Sequence, residues 1–243
     1  MNSCGQQAQR IVGVMGGMGP DATVDFLAKV VAATDAACDQ DHVHMLIDHN
    51  PQLPNRHAAI AGTGPDIGPD LAAMATRLEH AGADFLVMVC NTAHAFTRDI
   101  RAAVSIPFVS IIDVVMDKLA IHGVQRVGVM AAEGCLQAGL YQNALTAAGF
   151  EPVLWNDQQL DRFMALIYRI KSGDRDEAIA AGMRKLAAEL EFSGAELLVA
   201  GCTEVPLFMN EQDTYLPLLS STDLLVQRTI ALAKNSQLTE SQL

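Results

Sequence analysis

Short, mainly apolar runs recur along the chain, separated by longer stretches whose apolar positions return with helical spacing. Ile11–Met15, Val43–Ile47, Phe85–Val89 and Phe108–Ile112 read as buried strands, as do Val127–Met130, Pro152–Leu154, Leu197–Ala200 and Leu216–Leu219. Segments such as Asp70–His80 and Leu160–Ile170 carry the helical period. Strands that alternate with helices predict parallel sheets joined by crossover helices, an α/β fold.

The pattern also repeats. Val12-Gly13-Val14-Met15 returns as Val127-Gly128-Val129-Met130. Gly82-Ala83-Asp84-Phe85-Leu86-Val87, leading to Cys90, returns as Gly194-Ala195-Glu196-Leu197-Leu198-Val199, leading to Cys202. Ile106-Pro107-Phe108-Val109-Ser110 returns as Leu216-Pro217-Leu218-Leu219-Ser220. Three matches in one order at nearly constant offset predict two pseudo-symmetric α/β domains with parallel sheets and a cleft between them. The expected boundaries place residues 1–112 and 213–243 in the first domain and 113–212 in the second, with the last helix, Leu224–Lys234, returning to the first.

Composition narrows the function classes. Of 243 residues, 50% are apolar and 18% charged, which fits a folded α/β protein and excludes a disordered one. The net charge of −12, with no concentration of Lys and Arg, argues against a nucleic-acid partner. Met1–Gln9 carries no apolar run, and no segment has the ~20 apolar residues of a membrane span. The five cysteines are scattered without CxxC spacing, so a cytoplasmic chain with reduced thiols is expected rather than a disulfide framework.

Two of those thiols stand at equivalent places. Cys90 and Cys202 each follow a matching apolar strand, before Asn91-Thr92 and Thr203-Glu204. Ligands of open parallel sheets bind beyond the carboxyl ends of strands, so both thiols are expected at a rim. Helix starts there favour anions and cradle carboxylates. If the halves face each other, the sulfurs flank one cleft. That arrangement suits removal of a proton from one face of a carbon and delivery to the other. Asn91, Thr92 and Thr203 are candidate donors for the charge that develops. Cys4, Cys38 and Cys135 have no such pairing and are expected to be inert.

These residues resemble the aspartate/glutamate racemase family. The resemblance runs from about Arg10 to Lys234 and rests on Gly16-Gly17-Met18-Gly19-Pro20, Asn50-Pro51-Gln52-Leu53-Pro54-Asn55-Arg56, Cys90-Asn91-Thr92-Ala93-His94 and Gly201-Cys202-Thr203-Glu204. It implies a homodimeric enzyme that acts on a small acidic amino acid without pyridoxal phosphate or any other cofactor, and without metal. Cys90 and Cys202 would be the acid/base pair. Asn91, Thr92 and Thr203 would hold the α-carboxylate and α-amino end, and Met18 and Gln52 would line the substrate. Arg56 and Lys171 match the family's basic residues near the side-chain carboxylate. The chain departs from the family at Ala132 and Cys135, where threonines are usual. Related reactions, hydantoin racemisation or maleate isomerisation, and a non-catalytic amino-acid-binding protein are the alternatives.

Two other signals are weaker. Gly17-Met18-Gly19-Pro20-Asp21-Ala22 imitates a dinucleotide loop, but a plain strand–turn–helix with Pro20 in the first turn explains it. Cys90 and His94 imitate part of a zinc site without a clear fourth ligand, and His94 is expected to bond locally. His42, His44, His49 and His57 are left without a role.

Overall fold

The computed structural model describes residues 9–234. The first half runs β1 (Val12–Gly16), α1 (Pro20–Ala33), β2 (Met45–His49), α2 (Arg56–Ile60), α3 (Gly68–His80), β3 (Phe85–Met88), α4 (Thr97–Ala103), β4 (Phe108–Val109) and α5 (Ile111–Leu119). The second runs β5 (Arg126–Val129), α6 (Glu133–Gln137), α7 (Leu140–Ala147), β6 (Glu151–Val153), α8 (Asp157–Lys171), α9 (Glu177–Phe192), β7 (Leu197–Ala200), β8 (Leu218–Ser220) and α10 (Ser221–Lys234).

All strand pairs are parallel, and the two four-stranded sheets have matching orders, β2-β1-β3-β4 and β6-β5-β7-β8. The central strands are buried along their whole length, which is why they read as continuous apolar runs. The repeat extends to close packing. A Cβ on Gly13 would meet Leu86 Cδ2 at 2.6 Å, and a Cβ on Gly128 would meet Leu198 Cδ2 at 2.6 Å. Both β1 and β5 therefore need glycine where the neighbouring strand's leucine crosses them.

One core lies between the halves, where Val12, Val14 and Phe26 pack in one cluster with Val127, Val129, Tyr141 and Leu225. Two outer cores pack α3 on the first sheet and α8 with α9 on the second. The halves are thus joined by shared apolar burial, the main favourable term in folding.

Each expected strand is present, with ends shifted by a few residues, but β2 and β6, expected buried, are edge strands and partly exposed; α8 begins three residues before Leu160 because Asn156 and Gln159 form a capping box. Two further expectations need correction. Residues 213–243 were assigned to the first domain, but β8 pairs with β7, so residues 218–220 belong to the second sheet. Only α10 returns, packing on α1 and α5. The expectation of thiols throughout also fails, because Cys38 is disulfide-bonded. Cys4 lies outside the described residues. Cys90, Cys135 and Cys202 are free thiols.

Candidate active site

In each sheet the strand order reverses beside the first strand, at β1/β3 and at β5/β7, and the crevice beyond such a switch point is where open α/β sheets bind ligands. Met18 follows β1, Cys90 follows β3, Ala132 follows β5 and Cys202 follows β7. All four line one small cavity between the halves, with Arg56, His57, Asn91, Thr92, Ile167, Lys171, Thr203 and Glu204. The structure therefore brings together eight of the nine residues proposed from sequence. Gln52 is the exception; it is exposed in the loop before α2, where its N–H donates to Asn50 Oδ1.

The Met18 loop depends on Gly17. Its φ is +93°, and a Cβ would meet Asn50 backbone at 2.4 Å. The loop thereby turns the Met18 carbonyl toward both cations. It accepts from Arg56 Nη2 at 3.0 Å and Lys171 Nζ at 3.2 Å. Arg56 Nη1 is further engaged by the Leu53 and Pro54 carbonyls.

Lys171 also donates to Glu204, a residue only 4% exposed. Burial, the largest single influence on each, would lower the lysine's pKa and raise the glutamate's, but the partner's charge and hydrogen bond, with smaller neighbouring effects, together outweigh it, so lysine moves up and glutamate down. Gly19 makes room for the pair, because a Cβ there would meet Glu204 Oε1 at 2.6 Å. The other carboxylate oxygen, Oε2, accepts from Cys202 Sγ at 3.1 Å and Thr203 Oγ1 at 3.3 Å. Burial, and then the Glu204 charge, push the Cys202 thiol well above its usual range, against a smaller opposing effect of Lys171.

Asn91 bonds to none of these charged groups. Its Oδ1 accepts from Tyr141 Oη at 2.7 Å, and its Nδ2 donates to Ser221 Oγ at 3.1 Å. Ser221 donates in turn to the Ala200 carbonyl at 2.8 Å. This buried chain ties the Cys90 loop to α7 and α10. His94 bonds locally, with Nδ1 on the Cys90 carbonyl at 2.7 Å and Nε2 accepting the Ile111 N–H at 3.0 Å. Burial holds its pKa down at about 4. Cys135 is fully buried, and burial, with Cys90 nearby, pushes its thiol up, which suits an inert role.

His57, Tyr141, Ser221 and Glu204 received no role from sequence. Glu204 carried a usable signal, since the 112-residue offset aligns it with Thr92. No group of three or more His, Cys, Asp or Glu arranged to hold a metal occurs among the described residues. A larger cleft of about 700 Å³ lies along α10 and contains Lys29, Lys118 and Asp223, but no cysteine, and Lys29 is already paired with Asp25 and Asp223.

The sequence profile of the Asp/Glu/Hydantoin racemase family matches residues 15–229. The chain belongs to this family. Among its relatives, the broad specificity amino-acid racemase RacX of Bacillus subtilis (strain 168) is 26% identical, over 91% of this chain and 97% of that one. The solved structure of Picrophilus torridus aspartate racemase superposes with a TM-score of 0.84 at 27% identity, covering 96% of this chain and 97% of that one. An aspartate racemase homologue from Pyrococcus horikoshii OT3 shares the fold, with a TM-score of 0.74 at 24% identity, covering 93% and 100% of the two chains.

Proposed function

We propose that this protein is a racemase of acidic amino acids, aspartate foremost, that uses Cys90 and Cys202 as its two bases and needs no cofactor. The observation that carries this reading is that both cysteines, at matching positions of two matching sheets, line one cavity. The similarity to a broad-specificity amino-acid racemase and to an aspartate racemase supports it.

In the reaction, the thiolate of one cysteine takes the α-proton, so an S–H bond forms as Cα–H breaks. The electron pair passes into the α-carboxylate. The opposite thiol then delivers its proton to the other face of Cα and becomes the thiolate, ready for the reverse direction. Cys202, donating to Glu204, rests as the protonated member. Arg56 and Lys171 are the cations for a side-chain carboxylate. The cavity holds only about 20 Å³, room for a single water. An amino acid needs more room than this, so the cavity must widen before substrate binds.

A wider substrate range has one specific argument in its favour: Glu204 already neutralises Lys171, so the cavity's demand for a second carboxylate is reduced. The protein is further proposed to be a cytoplasmic homodimer. The deciding experiment is α-proton exchange in heavy water followed by NMR. Reduced protein is given L-aspartate, L-glutamate, L-alanine or a hydantoin. Loss of the α-proton signal of aspartate, with D-aspartate appearing, is expected. Saturable aspartate binding without exchange would overturn the racemase reading in favour of a binding protein. Sedimentation velocity tests the dimer.

A further inference from the structure

His57 takes no part in the proton transfer described above, yet it forms one wall of the same cavity. It is the second residue of α2, and its Nδ1 accepts the Gly134 N–H of α6 at 2.9 Å, across the two halves. Ala132, the N-cap of α6, offers no side-chain acceptor, so the imidazole satisfies an N–H that the helix itself leaves unpaired. A backbone N–H can only donate. Nδ1 therefore holds a lone pair, and the ring proton sits on Nε2. Burial, then Arg56 and Lys171, bring the ring's pKa down to about 4, against a smaller opposing effect of Glu204, so the ring is neutral near pH 7.

The polar side chains around it are already engaged. Arg56 and Lys171 serve the Met18 carbonyl, Lys171 and Thr203 serve Glu204, and Asn91 serves Tyr141 and Ser221. His57 Nε2 and the Thr92 hydroxyl make no hydrogen bond to another side chain or backbone group among the described residues. They are neighbours: a Cβ on Gly134 would meet His57 Nδ1 at 2.6 Å and Thr92 Cγ2 at 3.1 Å. Thr92 is two residues from Cys90.

We propose that His57 donates its Nε2–H to the α-carboxylate of the substrate, beside Thr92, as a further catalytic residue of the racemase reaction. The assignment rests on the racemase reading above. As the α-proton leaves, negative charge grows on the α-carboxylate, and an oriented neutral donor strengthens its bond as that charge grows. The hydrogen bond from Gly134 fixes both the ring's tautomer and its orientation.

Two variants separate this role from capping α6. In His57→Asn the side-chain carbonyl can still accept the Gly134 N–H, but the Nε2 donor is gone. In His57→Gln a terminal amide can reach the Nε2 position, while the Gly134 acceptor is lost. For L-aspartate, kcat is expected to fall about 10²-fold in His57→Asn with Tm unchanged, and His57→Gln to keep about tenfold more of it. Wild-type kcat in folded His57→Asn would overturn the assignment.

A second measurement does not depend on turnover. In protein labelled with ¹⁵N-histidine, the His57 Nε2 resonance is expected to shift on adding L-aspartate or 2-methylaspartate, which has no α-proton to lose. A shift without α-proton exchange would sink the racemase reading and keep the donor. Exchange with an unmoved Nε2 would do the opposite. An unmoved Nε2 without exchange would end both.

Discussion

Cys90 and Cys202 stand beyond matching strands of sheets with matching order, yet their surroundings diverge within two residues. After Cys202 the second residue is Glu204, a buried carboxylate that accepts from the thiol and is anchored by Lys171. After Cys90 the second residue is Thr92, and the intervening Asn91 is spent on a neutral chain to Tyr141 and Ser221. The Cys202 loop is fastened by charge within its own half, the Cys90 loop by uncharged hydrogen bonds to α7 and α10. A duplicated backbone thus supplies two sulfurs in equivalent positions, while the residues after them set different electrostatics. A reaction that needs one protonated and one deprotonated thiol at any instant is served by that inequality.

The sharpest way to break the comparison is to remove each sulfur in turn. Cys90→Ser and Cys202→Ser are each expected to lose about 10²–10⁴ in racemisation rate, the usual worth of a positioned acid or base. If one variant keeps full rate, the halves are not equal partners in the chemistry. Glu204→Gln comes next. It leaves the Lys171 charge without its partner, and with Lys171 a quarter exposed the loss of stability is expected near the lower end of the cost of breaking a buried pair, about 3 kcal/mol by chemical denaturation. Without the carboxylate, alkylation of Cys202 by iodoacetamide should begin at lower pH, and an unchanged profile would remove Glu204 from control of that thiol.

Acid should act mainly on the Cys90 side. His57 and His94 both have folded pKa values of about 4, below the ordinary 6.5, so the unfolded chain binds their protons first as pH falls. Their contribution to stability is whole above pH 6.5 and declines toward pH 4, by at most about 1.4 kcal/mol per pH unit for each. Hydrogen exchange over that range is expected to rise first around α2, β4 and the Cys90 loop. The smallest effect is that of Tyr141→Phe, which leaves Asn91 Oδ1 buried without its donor and should cost about 1–3 kcal/mol with little change in the reactivity of Cys202.

Much of this architecture was legible in the chain. Buried parallel strands are written as plain apolar runs, and the duplication copied them at a steady offset, so Leu197–Ala200 could be matched with Phe85–Met88 before any coordinates. The repeat carried Cys90 and Cys202 to one cleft, and the family resemblance added Arg56 and Lys171. Other features were hidden for physical reasons. The part played by His57 depends on one hydrogen bond to a residue 77 positions later, which no local pattern encodes. Gln52 sits in the right motif, but the turn leaves it exposed. The sheet that receives residues 218–220 was legible in the repeat, since Leu216–Ser220 matches Ile106–Ser110 and β8 pairs with β7 as β4 pairs with β3, but a boundary drawn at residue 213 set that match aside.

The return of α10 bears on the order in which the molecule can be finished. Residues 221–234 lie against α1 and α5, and the Ala233 carbonyl accepts the Arg10 N–H at 2.9 Å. During synthesis α1 and α5 lack their α10 neighbour until residues 221–234 have left the ribosome, although domains commonly fold as units from the N-terminus onward. Until then the α1 face that Leu225 and Leu232 help to cover lacks its final layer. A nascent first half without α10 thus exposes apolar surface that the complete fold covers, and exposed apolar surface of this kind is what makes unfinished chains prone to aggregate.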